Sequence, residues 1–196
     1  MLPKLCLLLA LVFPLTLSGS LSASDYRVGE RLPASKGAAK GFQEIVWDDL
    51  MPKGWDPMAA FKGIDLNRLQ DSDPKAIEML AKVRAEWDKA PVEPALNGTR
   101  VKIPGFVLPL ERKGDEISEF LLVPYFGACV HVPPPPSNQV IHVVPAKPVK
   151  GMKTMETFWI SGTLHLQGGD SGMGTYAYRI AAERVEPYEV KQGKKR

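Results

Sequence analysis

The sequence contains few residues of the kinds that build catalytic and metal centres. It has two cysteines and three histidines among 196 residues. Cys6 lies in a segment that we expect to be removed, which leaves Cys129 as the single thiol of the mature protein. One thiol excludes an intramolecular disulfide. In an oxidising compartment such a thiol is buried, bound to a metal, reactive or paired with a partner chain.

The chain also lacks a strong charge of one sign, internal repeats and low-complexity tracts longer than four prolines. Its formal net charge is +3. Removal of the first 23 residues takes away Lys4 and no acid, which lowers that charge by one unit. Nucleic-acid-binding domains usually carry a strongly basic face, so we expect no nucleic-acid partner.

The only long apolar run is at the start of the chain. Lys4 precedes an apolar stretch at residues 5–17, and small residues follow at 18–24. The run is shorter than the roughly 20 residues of a membrane-spanning helix, so we read residues 1–23 as a signal peptide cleaved after Ala23. The remainder is predicted to comprise a flexible leader at 24–43, one domain at 44–190 and a basic tail at 191–196.

One helix is predicted. Asp73 is a suitable cap and Pro74 suits the first helical position. Apolar residues then recur at helical spacing, which predicts a helix over 73–87 with one face packed on the core. That face comprises Ala76, Leu80, Val83 and Trp87.

The chain after Asn97-Gly98 is predicted to form strands. In the segment from Arg100, Val101 and Ile103 alternate with Arg100 and Lys102, which is the period of a half-buried strand. Five strands are expected, at residues 100–110, 119–125, 139–145, 157–166 and 174–188. Five strands with Gly- and Pro-marked turns predict a mainly β domain, a small five-stranded barrel of the oligonucleotide/oligosaccharide-binding (OB) type with one helix and an N-terminal extension.

Two further points concern this fold. A five-stranded sheet covered by one helix is the alternative to the barrel. Pro104 and Gly105 fall in the middle of the first strand and predict a bulge or bend there.

The segment YFGACVHVPPPPSNQ at residues 125–139 is the candidate functional region. In an extended chain Cys129 and His131 would point to the same side. The prolines at 133–136 form a stiff stretch that cannot continue a central strand. His142 follows on the next predicted strand, where it would approach the first two if the segments are neighbours.

Three interpretations of this region stay open. Cys129, His131 and His142 would bind zinc or copper, with His165, Asp170 or water as a fourth ligand. Alternatively, Cys129 is a reactive thiol with a histidine as its base. In the third interpretation Cys129 is a buried small apolar residue and the histidines are structural.

The string FGACVHVPPPPSNQVI, preceded by GTRVKIPGFVLPLE and followed by FWISGTL and GTYAYRIAAERVEPY, resembles the bacterial exported domain-of-unknown-function family 3299 (DUF3299). Members of that family are commonly encoded beside MacB-like ABC transporter components, and some such clusters look zinc-responsive. The resemblance implies a periplasmic accessory role in metal handling or transport, and it assigns no enzymatic activity.

We therefore expect a non-enzymatic periplasmic accessory protein for transition-metal handling, with zinc as the cofactor and Cys129, His131 and His142 as its ligands. Components of an inner-membrane ABC transporter are the expected partners. The alternatives are a metal-free interaction module that docks on a transporter through a barrel edge or the proline stretch, and a thiol-dependent enzyme.

Overall fold

The computed structural model of the chain describes residues 26–33, 41–62, 74–132 and 134–188. The predicted signal peptide and basic tail lie outside these residues. The described residues form one α-helix, α1 (Pro74–Trp87), and nine strands: β1 (Gln43–Glu44), β2 (Arg100–Lys113), β3 (Glu116–Val123), β4 (Ile141–Pro145), β5 (Val149–Lys150), β6 (Thr157–His165), β7 (Gly169–Asp170), β8 (Thr175–Tyr176) and β9 (Tyr178–Pro187).

The five long strands close into a barrel. Its strands follow the order β2-β6-β9-β4-β3, and β3 pairs with β2 to complete the ring. The β4–β9 pair is parallel, and the other pairs in the ring are antiparallel. This order and the parallel pair are those of the OB barrel. The predicted five-stranded, mainly β barrel with one helix is therefore confirmed.

Strand β2 is shared between the two halves of the barrel. Its first part, up to Phe106, pairs with β6, and from Phe106 onward it pairs with β3. The pairing with β6 runs without interruption through Pro104 and Gly105, so no bulge lies at these residues, and the alternative that was predicted with it, a bend, stays a prediction. The irregularities lie further along, between Pro109 and Arg112.

Gly105 serves close packing. A Cβ at this position would lie 2.6 Å from the Leu122 side chain and 2.9 Å from the ring of Trp47. The Trp47 Nε1–H donates a hydrogen bond of 2.8 Å to the Pro104 carbonyl oxygen, which holds the indole over the strand. Glycine is needed here because two bulky side chains reach the backbone.

The barrel interior is apolar, as the alternation in β2 predicts. Val101 and Ile103 are fully buried, whereas Arg100 is exposed and Lys102 is half-buried. A second cluster of buried residues surrounds Phe106 and Leu121 outside that interior. Burial of each large apolar side chain contributes about 1.5–3 kcal/mol relative to exposure, so these two clusters supply most of the stabilising free energy.

Helix α1 packs on the rest of the protein through few residues. Val83 is its only buried residue, and Leu80, which was predicted to face the core, is 52 % exposed. Trp87 anchors the helix at its end. The Trp87 Nε1–H donates to the Pro57 carbonyl at 3.0 Å, and its ring centroid lies 5.8 Å from that of Phe61. The expectation of a continuous core-facing stripe is therefore wrong for Leu80.

Residues 26–33 lie against the barrel, although they belong to the segment predicted as a flexible leader. The Tyr26 ring packs edge-on against Phe106, with centroids 5.1 Å apart. The backbones of Gly29 and Glu30 exchange hydrogen bonds with Phe126, each of 2.9 Å. Aromatic packing and backbone pairing thus order this part of the leader.

Two segments differ from the predicted strands. Residues 137–139 form a 3-10 helix, so Gln139 does not start the predicted strand, and the long last strand is divided into β8 and β9. Strand β8 pairs with β7 in a separate two-stranded ribbon. In the described part of the chain, no helix has the length and apolar character required to cross a bilayer.

The Tyr178 hydroxyl joins three segments inside the barrel. Tyr178 is fully buried. Its hydroxyl donates to the Leu50 carbonyl at 2.7 Å and accepts the Glu93 backbone N–H at 2.6 Å. Burial raises the pKa of this hydroxyl to about 12, so it stays protonated and keeps its donor role at neutral pH.

We expect Tyr178→Phe to lower the free energy of unfolding by about 2–4 kcal/mol, because it leaves a buried carbonyl and a partly buried N–H without their partner. Urea denaturation followed by tryptophan fluorescence measures this change. Tyr188→Phe is the control, since the Tyr188 hydroxyl makes one long hydrogen bond of 3.4 Å to the Pro33 carbonyl. This variant should lower the free energy of unfolding by less than Tyr178→Phe does. Equal losses for the two variants would contradict the role of Tyr178.

Gly162→Ala should destabilise the barrel by about 3 kcal/mol, because the added Cβ would overlap the neighbouring backbone of β9. That Cβ would lie 2.8 Å from the Ala182 Cα and closer still to the Ala181 carbonyl oxygen. Gly114→Ala is the control, since that turn glycine has open space around it and a φ of 65°. Gly114→Ala should lower the free energy of unfolding by about 1 kcal/mol. The same urea titration distinguishes the two, and a Gly162→Ala loss no larger than the control would contradict the close approach.

Candidate functional site

The segment that carries Cys129 and His131 is a tight turn. The backbone N–H groups of Val130, His131 and Val132 all point to the Gly127 carbonyl oxygen, at 3.2, 2.8 and 3.2 Å. Gly127 has a φ of 87° and Cys129 a φ of 63°. The prediction that Cys129 and His131 project to one side of an extended chain is therefore wrong, because the chain reverses between them.

Cys129 is half-buried where the turn meets two other segments. A Cβ at Gly174 would lie 3.5 Å from the Cys129 Sγ and 3.2 Å from the Pro134 Cβ, so thiol, proline and glycine backbone are in close packing. Burial raises the pKa of the thiol to about 11, and the Arg84 guanidinium partly offsets this by favouring the thiolate. A neutral, packed thiol is a poor nucleophile at physiological pH.

His142 lies on β4 beside β3. The His142 Nε2 is 2.8 Å from the Glu119 Oε2, in an ion pair when the imidazole is protonated. The ring also packs on Tyr176, with centroids 4.9 Å apart and an angle of 35° between the planes. The His142 residue is 9 % exposed, and among the described residues its Nδ1 has no hydrogen-bond partner. The carboxylate and the phenol ring thus fix the imidazole in place.

The remaining histidines lie outside the Glu119–His142 ion pair. His131 is exposed, with its Cβ packed near Gly127. His165 is half-buried on β6, opposite Arg179 of β9. No group of three or more His, Cys, Asp or Glu side chains that could hold a metal ion occurs within the described ranges.

The residues present therefore do not fit a three-ligand zinc site made of Cys129, His131 and His142. The strand neighbours bring His142 to Glu119. No metal-binding group that combines His142 with Cys129 and His131 occurs among the described residues. Zinc binding stays a prediction of the sequence.

The proline stretch is packed into the structure. Pro135 and Pro136 are buried, and Pro134 is half-buried. The next residues tie this segment to distant backbone. The Asn138 Nδ2 donates to the Pro91 carbonyl at 2.8 Å, and the Gln139 Nε2 donates to the Trp47 carbonyl at 2.9 Å. Pro134, Pro135 and Pro136 are therefore packed in the structure and do not form a freely exposed stretch.

Exposed apolar side chains are the feature that the sequence did not reveal. Six large ones are exposed among the described residues: Met58, Ile77, Leu80, Val28, Val130 and Met173. The first three belong to α1 and to the 3-10 helix that packs on it. The other three flank the Cys129 turn, since Val28 packs at Gly127, Val130 follows the thiol and Met173 precedes Gly174.

The positive charge of Arg84, on α1, favours the thiolate of Cys129, in the turn. We call the six residues the apolar face. The periodicity of α1 places Ile77 and Leu80 one turn apart, but only the tertiary structure shows that the barrel leaves them uncovered.

The thiol should react slowly with iodoacetamide. With a pKa of about 11, only about one thiol in 1,000 is ionised at pH 8, so alkylation should be about 100-fold slower than for a model thiol of pKa 9.0. The rate should rise about tenfold per pH unit up to pH 10. The measurement uses mass spectrometry on a Cys6→Ser chain, so that Cys129 alone reacts.

Two outcomes of this experiment would contradict a buried structural thiol. Rapid alkylation at pH 8 would favour a reactive thiol. Acceleration on addition of a chelator would favour a thiol bound to a metal. A short peptide that contains one cysteine serves as the reference for the intrinsic rate.

Comparison with known proteins places the chain in a family. A sequence profile described as "Protein of unknown function (DUF3299)" matches residues 47–187. The crystal structure of a DUF3299 family protein from Pseudomonas aeruginosa PAO1 is similar to this chain. The two are 35 % identical with a TM-score of 0.60, and the match covers 79 % of this chain and 99 % of that one. No curated protein matches. The match over most of the barrel, together with the related crystal structure, shows that the chain belongs to the DUF3299 family of proteins of unknown function.

Proposed function

We propose that the protein is an exported, non-enzymatic interaction module that docks through the apolar face on the periplasmic part of a membrane transporter. The observation that carries the proposal is the exposure of Ile77 and Leu80, at 59 % and 52 %, on a helix that buries only Val83. Clustered exposed apolar side chains, unlike scattered ones, are typical of surfaces that bind a partner.

The rest of the apolar face extends this surface toward the turn. Val28 is 54 % exposed, Val130 44 % and Met173 37 %. The half-buried Cys129 lies among them, and its φ of 63° shows that the turn is held in a specific conformation. A rigid apolar surface binds at a low cost in conformational entropy, because little has to be ordered on association.

The structure also argues against docking through a barrel edge or through the proline stretch. The five barrel strands pair in a closed ring, so none of them offers an edge that is free along its whole length. The prolines at 135 and 136 are buried. Docking is left to the elements outside the barrel, of which α1 is the largest.

The choice of partner rests on the resemblance. Relatives are commonly encoded beside MacB-like ABC transporter components, and a protein with a signal peptide reaches the compartment into which such transporters extend. The expected link to transition metals, and to zinc in particular, would then come from the transporter. It requires no three-ligand site in this chain.

The test is the affinity of the mature protein for a MacB-like transporter of the same bacterium, reconstituted in nanodiscs and measured by biolayer interferometry. The double variant Ile77→Glu/Leu80→Glu should weaken binding at least tenfold, which corresponds to about 1.4 kcal/mol. Cys129 should also be alkylated more slowly in the complex, because the docked partner covers the turn.

Ala85→Glu is the charge control, because it adds one of the two negative charges that the double variant adds, at another exposed position of α1. It should bind like the parent protein. Far-UV circular dichroism verifies that each variant keeps its helix. Unchanged affinity of the double variant, or an equal loss for the control, would refute docking through this face.

A further inference from the structure

The outer surface of the barrel carries a basic row across three neighbouring strands. Arg179 of β9 lies directly opposite His142 of β4 and His165 of β6 in the strand register. Paired residues on neighbouring strands project to the same side of a sheet, with their Cβ atoms about 5 Å apart. Tyr178 and Ile180, on either side of Arg179, are fully buried in the barrel interior, so the row faces outward.

The Arg179 side chain has no counter-charge. It is half-buried, and within the described ranges its guanidinium forms no ion pair and no hydrogen bond. Two carboxylates of the surrounding strands are already bound. The Glu119 carboxylate lies 2.8 Å from the His142 Nε2. The Glu183 carboxylate accepts two hydrogen bonds from Arg100, of 2.7 and 3.2 Å. The five N–H donors of Arg179 are therefore available to a ligand.

The surface next to Arg179 has room for a small ligand. Ala181 lies two residues further along β9, on the same outer face. It is exposed, although β9 is in the middle of the sheet, between β6 and β4. Its neighbours in the register are Thr163 of β6 and Val144 of β4, both half-buried. A single methyl group between longer side chains leaves a depression in the sheet surface, with Arg179 at its edge.

The donors around this depression suit a tetrahedral oxyanion. Arg179 provides a planar fork, which matches two oxygens of a phosphate or a carboxylate. His165 and Thr163 are two residues apart on β6, so the imidazole and the hydroxyl project to the same side. Neither of these two side chains has a hydrogen-bond partner among the residues that the structure describes. A phosphate has further oxygens for these donors, whereas a carboxylate has only the two that the fork binds.

We propose that the outer face of β6 and β9 binds a phosphate group over Ala181, with Arg179, His165 and Thr163 as its hydrogen-bond donors. Inorganic phosphate and phosphomonoesters both present this group. None of the six residues of the apolar face takes part, so the proposal does not depend on docking to a transporter.

The test is a titration of inorganic phosphate into the ¹⁵N-labelled mature protein at constant ionic strength, followed by ¹H–¹⁵N spectra. We expect saturable shifts of the Arg179, Ala181 and Thr163 amides at millimolar phosphate. A parallel titration with glycerol 2-phosphate identifies the source of the group. A phosphomonoester site binds this ester at least as tightly as the free ion, and a site for free phosphate binds the ester more weakly.

Arg179→Gln should weaken phosphate binding at least tenfold, because it removes both the charge and the fork. Arg179→Lys keeps the charge without the fork and should weaken binding by about threefold. Arg184→Gln is the matched control, since it removes the same charge from an exposed position of the same strand, opposite Ser161 and outside the row. It should leave the affinity unchanged.

Ala181→Leu tests the depression separately from the charge. The larger side chain fills the space over the sheet and keeps all three donors, so phosphate binding should weaken at least tenfold. The ¹H–¹⁵N spectra of the free variants verify that each of them is folded. Since Ala181 is exposed, this variant remains a test if Arg179→Gln does not fold.

Four results would overturn the proposal. Shifts that grow linearly with phosphate concentration would indicate an adventitious ion only. Equal losses for Arg179→Gln and Arg184→Gln would indicate general attraction to positive charge. The other two are unchanged affinity of Ala181→Leu, and acetate binding at the same residues more tightly than phosphate. Each of these outcomes leaves the transporter assay with Ile77→Glu/Leu80→Glu unaffected, so the two proposals stand or fall separately.

Discussion

Closure of the barrel depends on β2, which pairs with β6 along its first half and with β3 along its second. This requires the strand to pass under the Trp47 indole without a side chain in the way, and Gly105 meets that requirement. The same closure makes β3 and β4 neighbours and so brings Glu119 to His142. It also pairs each strand of the ring on both sides over part of its length, which favours the elements outside the barrel for interaction with a partner.

Those outer elements are ordered by polar side chains that reach backbone groups far away in the sequence. Gln139 binds the Trp47 carbonyl, Asn138 binds the Pro91 carbonyl, and the Tyr178 hydroxyl joins Leu50 to Glu93. Buried polar groups of this type stabilise one arrangement, because any other arrangement leaves them without partners. These bonds hold the segments around Trp47, Leu50, Pro91 and Glu93 against the barrel. The half-buried thiol of Cys129 is a packing element, and its raised pKa is the consequence of that packing.

Local patterns in the sequence were sufficient for most of the barrel. The alternation at Val101 and Ile103 gave the correct inward face of β2, and Pro74 gave the start of α1, because both signals act between near neighbours. The same reasoning failed at Cys129 and His131. Two residues at that spacing lie on one side only if the backbone is extended, and a left-handed φ at Cys129 reverses the chain. That conformation is rare for a residue other than glycine, so the sequence gives no sign of it.

The sequence by itself determined the fold class, the number of barrel strands and membership of the DUF3299 family. Each of these depends on composition, on short-range periodicity or on motifs that are contiguous in the chain. The tertiary structure alone decided which side chains meet and which apolar residues stay exposed. Leu80 has the spacing of a core residue and yet is 52 % exposed, because nothing in the described barrel extends far enough to cover it. Burial is a property of what packs against a residue, and those neighbours are distant in the sequence.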